Sequence, residues 1–236
     1  FITMIFIYGF ITSSMLNQPS TGQPVSSATE PKAVIVDQLS LTYPNPTFIE
    51  TATNTLKQTG YAVDYYPGEN VTVEFYKNLP THNYAIIILR VHSALGANKE
   101  RPLALFTSEP YSQNKYVYEQ LSDQVVSVSF EENKERRYFG IFPNFVRSSM
   151  NGKFQNSIVI AMGCEGLRYT DMAEAFIDKG SKVFTGWFGP VSASHTDATT
   201  AHLFQHFLIE KRNLKESVQK TFTELGTDPT YNSLLI

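Results

Sequence analysis

Apolar residues fall in short dense runs separated by stretches with helical spacing. Residues 33–37 (AVIVD), 84–91 (YAIIILRV) and 157–162 (SIVIAM) are each long enough for one strand and apolar at nearly every position, as expected of strands covered on both faces. Between the first two runs, Pro46–Gln58 carries Phe48, Ile49, Ala52 and Leu56 at helical spacing, and Gly60 follows as a C-terminal stop. Residues 61–66 read as a second strand and 71–78 as a short helix. Strand alternating with helix predicts an α/β fold, a three-layer α/β/α sandwich around a mainly parallel sheet. The middle is less regular: residues 103–107, 124–130 and 138–145 are strand-like with turn residues between them, and read as an insertion of strands and loops at one end of the sheet. The alternation then resumes. A helix is expected over 171–179 with Met172, Ala175 and Phe176 inward and Gly180 ending it, then a strand over 182–187, a long amphipathic helix over 194–211 and another over Leu214–Leu225. Residues 231–236 begin a further strand, which reads as a truncated C-terminus, and there is no internal repeat.

The N-terminal pattern differs. Residues 1–16 (FITMIFIYGFITSSML) are apolar or small, carry no charged side chain and begin with Phe, so they read as the remnant of a signal peptide or membrane anchor. They are shorter than the ~20 apolar residues of a full span. Residues 17–31 are rich in Ser, Thr, Pro and Gln and read as a flexible linker, which leaves 32–236 as the folded domain. This order predicts an extracellular or membrane-anchored protein, with membrane anchoring through the apolar segment. Asn70-Val71-Thr72 fits a glycosylation acceptor triplet.

Composition narrows the function classes. The chain has 236 residues, 42% apolar and 17% charged, enough for one sizeable core. Its net charge is −3 and no Lys/Arg-rich run is present, so nucleic acid is not an expected partner. One cysteine, Cys164, rules out an intramolecular disulfide and a multi-cysteine metal site. No G-x-G-x-x-G or P-loop pattern supports nucleotide binding. His202 and His206 stand four apart on a helix with His195 two turns back, a spacing able to bind metal, but Leu203 occupies the place where the zinc-protease pattern needs Glu. A solvated helix face, with no metal, is therefore expected.

Two strands end in reactive side chains. Residues 84–91 lead into His92-Ser93-Ala94, and 157–162 lead into Gly163-Cys164-Glu165-Gly166. Ligands of open parallel α/β sheets sit outside the carboxyl ends of the strands, so both groups are expected at one edge. A thiolate is a nucleophile and an imidazole can move its proton. The backbone amides of Ser93 and Cys164 are the expected donors to a developing oxyanion. Asp37 ends the first strand at the same edge and reads as a turn or capping residue.

An apolar strand ending in His and a small residue, followed by one ending in a small residue and Cys, resembles the caspase-like cysteine peptidases: caspases, gingipains, separases and CHAT-domain proteins. Cys164-Glu165-Gly166, Ala173-Glu174-Ala175-Phe176, Gly180-Ser181-Lys182-Val183 and Trp187-Phe188-Gly189-Pro190-Val191-Ser192 look most like the CHAT and gingipain types. The resemblance implies a His92–Cys164 dyad that hydrolyses a peptide or protein substrate laid along the sheet edge, with no cofactor. It also implies that Trp187 lines a substrate pocket, with an ordinary core tryptophan as the alternative; Glu165 reads as favouring basic substrates or as simply facing solvent. Two positions depart from the pattern: Ser93 stands where Gly is usual, and Gly163 where Ala or Asp is frequent. Three rivals remain at this stage: a catalytically inactive caspase-like binding or interaction module at the cell surface, a merely packed Cys164 with His92 an ordinary strand-end residue, and a flavodoxin-like ligand-binding domain.

Overall fold

The computed structural model describes residues 30–96, 102–130 and 133–236. In chain order these form β1 (Lys32–Asp37), α1 (Pro46–Gln58), β2 (Ala62–Pro67), α2 (Val73–Asn78), β3 (Tyr84–Arg90), β4 (Ser93–Ala94), β5 (Ala104–Pro110) and α3 (Val117–Leu121). There follow β6 (Val125–Phe130), β7 (Asn133–Ile141), α4 (Pro143–Ser148), β8 (Ile158–Ala161), α5 (Asp171–Asp178), β9 (Val183–Thr185), α6 (Ala193–Phe204) and α7 (Leu214–Leu225). The expected anchor (1–16) and all of the linker but its last two residues lie outside the described residues. Among the described residues no helix is long and apolar enough to cross a membrane.

The apolar runs pair into a five-stranded sheet in the order β2-β1-β3-β8-β9, parallel throughout. Alternation along each strand divides the core. Val34, Val36, Ile87, Leu89 and Val159 face α2, α4 and α5, whereas Ala33, Ile35, Ile86, Ile88 and Ile160 face α1, α6 and α7. Strands buried on both faces are apolar at consecutive positions for this reason. Local signals set the first helix: the Asn45 side chain accepts from the Phe48 amide at 3.1 Å, Pro46 opens the first turn, and Gly60 follows the end at φ +90°.

The middle segment forms a second, antiparallel sheet in the order β4-β5-β7-β6. Two expectations change here. The strand expected over 138–145 ends at Ile141, because Pro143 has no N–H to donate to a ladder and starts α4. That same strand begins earlier, at Asn133: β7 pairs with β6 through Ser129↔Arg137 and Phe130↔Asn133, and Glu135, Arg136 and Arg137 lie exposed on the hairpin. Pairing overrides the weak strand propensity of this charged run. At the other end, the expected helix over 194–211 is α6 followed by a π-turn at Gln205–Ile209. The expected C-terminal strand is reduced to one antiparallel bridge, Trp187↔Leu235.

A buried cation closes the carboxyl end of the sheet. Arg90, with no exposed side-chain surface, donates to Asp37 at 2.6 Å, to both oxygens of Asp197 on α6 at 2.7 and 2.8 Å, and to the Tyr43 carbonyl at 2.8 Å. Asn45 Nδ2 also donates to Asp197 at 2.8 Å, and the Tyr65 hydroxyl to Asp37 at 3.0 Å. Burial and the neighbouring Asp37 carboxylate push the Tyr65 phenol up to about 12. Asp37 stands at the N-terminal cap position of the 3-10 turn Gln38–Leu41, as its place in the sequence suggests, but its side chain makes no capping hydrogen bond and is an ion-pair partner of Arg90. Replacing Arg90 with Met should leave two buried carboxylates without a counter-charge and cost about 3–5 kcal/mol of stability. Urea unfolding of wild type and Arg90→Met checks this; an unchanged midpoint would show that the network is not structural.

Candidate active site

The register of β3 and β8 decides what lies at their ends. Leu89 pairs with Ala161, and the Met162 amide extends the ladder to the Leu89 carbonyl at 2.9 Å. His92 and Cys164 each lie three positions beyond the last paired residues, so they leave the sheet side by side. Both line a cavity of about 560 Å³. Tyr43, Phe106, Phe130 and Tyr231 form much of its wall, and among the described residues no carboxylate lines it and His92 is its one basic side chain.

Each side of this junction is fixed by identifiable contacts. A side chain on Gly163 would fall on the Ser93 hydroxyl and the Val91 carbonyl, so the close approach of the two segments requires glycine there. Ser93 uses the room: its hydroxyl donates to the Cys164 carbonyl at 2.5 Å. The two departures from the caspase-like pattern are therefore in contact with each other. The Phe106 amide donates to the His92 carbonyl at 2.9 Å, which makes Ser93–Leu105 a non-hydrogen-bonded pair. The Ser93 amide accordingly points away from β5 and is not consumed by that ladder.

His92 is held at backbone and ring. Its amide donates to Gln38 Oε1 at 2.9 Å, and its Nε2 lies 2.8 Å from Thr42 Oγ1. The ring packs against Phe130 with centroids 4.8 Å apart, and against Tyr43 and Phe106 at 5.8 and 5.9 Å. Sequence reasoning missed Thr42 and Gln38: both sit on the turn after β1, and no local pattern ties them to a histidine 50 and 54 residues away.

Cys164 is partly exposed. Its sulfur accepts from the Val191 amide at 3.4 Å and lies 3.6 Å from the Val191 carbonyl. Burial pushes the thiol up, the Val191 contact works against this, and the Glu165 and Asp228 carboxylates add to the upward shift. The Val191 segment is itself pinned: Asp228 accepts from the Ser192 amide and hydroxyl at 2.9 and 2.6 Å, and from the Thr230 and Tyr231 amides at 2.9 and 2.8 Å. Burial works to raise Asp228, but these donors outweigh it and hold the carboxyl below its ordinary range.

Two other expected site residues are placed elsewhere. Trp187 is buried and does not line the cavity; its indole N–H donates to Thr196 Oγ1 at 2.9 Å, and that hydroxyl donates to the Met162 carbonyl at 3.0 Å. It braces the floor of the cavity through Thr196, because an indole this large is better buried with its one donor satisfied. Glu165 is also absent from the cavity wall. It adopts φ +60°, its amide donates to the Gly189 carbonyl at 2.9 Å, and its carboxylate pairs with Arg168 at 2.6 Å. Its charge is thus met within the protein.

A comparison with protein-family models and with curated proteins finds no match.

Because thiolate is the reactive form, alkylation by iodoacetamide should track the raised thiol. The rate at Cys164 is expected to keep climbing past roughly pH 9, above the ordinary thiol range. Mass-spectrometric rate measurements from pH 5 to 10 test this. A plateau reached by about pH 7 would mean a resting thiolate–imidazolium pair instead.

Proposed function

We propose that the chain is a cysteine-type endopeptidase with a caspase-like fold, using Cys164 as nucleophile and His92 as acid/base. The observation that carries this reading is the convergence of both side chains, from the carboxyl ends of adjacent parallel strands, on one cavity. The strand order and the helices on both faces are compatible with the resemblance seen in the sequence.

The chemistry follows from the contacts. A substrate peptide enters extended, its scissile carbonyl against Cys164. His92 removes the thiol proton as sulfur attacks the carbonyl carbon, and the oxyanion is received by the Ser93 and Cys164 amides. The imidazolium returns its proton to the leaving amine, giving an acyl-thioester. Water then attacks the thioester with His92 as base, releasing the acid and restoring the thiol. Thr42 orients the ring through Nε2 and is a positioning residue. The apolar segment 1–16 and the polar stretch 17–31 support work outside the cell or at a membrane surface.

Cleavage of a mixed peptide library, with circular dichroism as folding control, tests the proposal. Cys164→Ala should abolish cleavage, because alanine offers no nucleophile. His92→Ala should lose about 10²–10⁴ in rate. The double variant should be no worse than Cys164→Ala, since the pair acts as one unit. Equal cleavage by wild type and Cys164→Ala would remove Cys164 as nucleophile. A folded wild type that binds peptides without cleaving them would favour the inactive binding module.

A further inference from the structure

We propose that His202, His206 and Glu224 form a divalent transition-metal site, suited to Zn²⁺, that clamps the end of α6 to α7. One ligand atom of each residue lies within 4.8 Å of the other two. Glu224 Oε2 stands 2.9 Å from His206 Nε2 and 3.3 Å from His202 Nδ1. Ligand atoms around a tetrahedral zinc with bonds of ~2.0–2.2 Å are separated by about 3.4 Å, so small rotamer changes at exposed His202 and Glu224 complete the geometry.

The surroundings are those of a metal-ligating histidine. His206 is buried, and its other nitrogen, Nδ1, lies 3.0 Å from Glu210 Oε1. Arg212 in turn holds Glu210 Oε2 at 2.7 Å. With a metal bound, the carboxylate on Nδ1 would hold the proton there and leave the Nε2 lone pair to the cluster, as outer partners of zinc histidines do. Lys220 occupies the other oxygen of Glu224 at 3.1 Å and leaves Oε2 to the site. The π-turn at Gln205–Ile209 carries His206, and such bulges recur where a side chain is re-aimed for function. His195, the third histidine of the helix, is not part of the cluster: its ring packs on Trp187 at 5.4 Å. Three protein ligands thus leave a fourth position for water. None of the three lines the cavity of Cys164, and the metal is a clamp, not part of the proposed hydrolysis.

Calorimetric titration with ZnCl₂ tests the site, using wild type and Cys164→Ala so that the thiol cannot supply the signal. Both should take up one Zn²⁺ through this cluster with a rise in melting temperature, and Co²⁺ should give tetrahedral visible absorption at the same stoichiometry. His202→Ala and Glu224→Gln, both at exposed positions, should weaken binding at least tenfold, and Glu210→Gln by about 10- to 100-fold. Absence of Zn²⁺ uptake by Cys164→Ala, or uptake unchanged in both His202→Ala and Glu224→Gln, would overturn the proposal.

Discussion

The geometry of the candidate site depends on one buried guanidinium. Arg90 ties the end of β1 through Asp37, the following turn through the Tyr43 carbonyl, and α6 through Asp197. Each tie leads to the site by a short path. Two residues past Arg90 along the chain is His92. Beside Tyr43 is Thr42, which holds the His92 ring. Shortly before Asp197 are Val191 and Ser192, of which the first contacts the Cys164 sulfur. A cation buried this fully is tolerated because both carboxylates and a carbonyl meet its donors, and such a network favours one arrangement over near alternatives. The network thus ties the end of β1, the turn at Tyr43 and α6 around the strand end that carries His92.

Much of this was legible in the chain, and the limits have physical causes. The apolar runs ending in His92 and Cys164 are strands because both faces of a parallel sheet are covered, and that requirement is written locally. Arg90 stands inside one of those runs, where the pattern gives only a strand. Its partners lie 53 and 107 residues away, and no local spacing encodes a pairing of that range. Thr42 and Gln38 were invisible for the same reason. The charged start of β7 reads as a loop because its stability comes from pairing with β6, not from its own residues. Trp187 and Glu165 do not line the cavity, because proximity in sequence to Cys164 says nothing of side-chain direction. One turns inward to Thr196, and the other to Arg168.

Ser93 and Gly163 illustrate how a departure from a motif is absorbed. Each alone alters a strand end, but together they form a complementary contact in which one side chain fills the space the other lacks. The burial of Cys164 has a consequence for chemistry as well. In the proposed mechanism a thiol raised by burial needs its base, His92, at the moment of attack. Helix α6 connects this region to the far side of the domain: Thr196 and Asp197 brace the cavity at its start, and His202 and His206 meet α7 at its end.

The most direct measurement is covalent labelling with a peptidyl acyloxymethyl ketone, an electrophile that reacts with a thiol once a peptide has been bound in register. Intact-mass and peptide-mapping spectrometry should find a single adduct on Cys164, formed roughly 10²-fold more slowly in His92→Ala. A peptide competitor should protect the thiol. Labelling of Cys164 at the same rate without His92, or no labelling of a folded protein whose thiol still reacts with iodoacetamide, would contradict a working Cys–His pair.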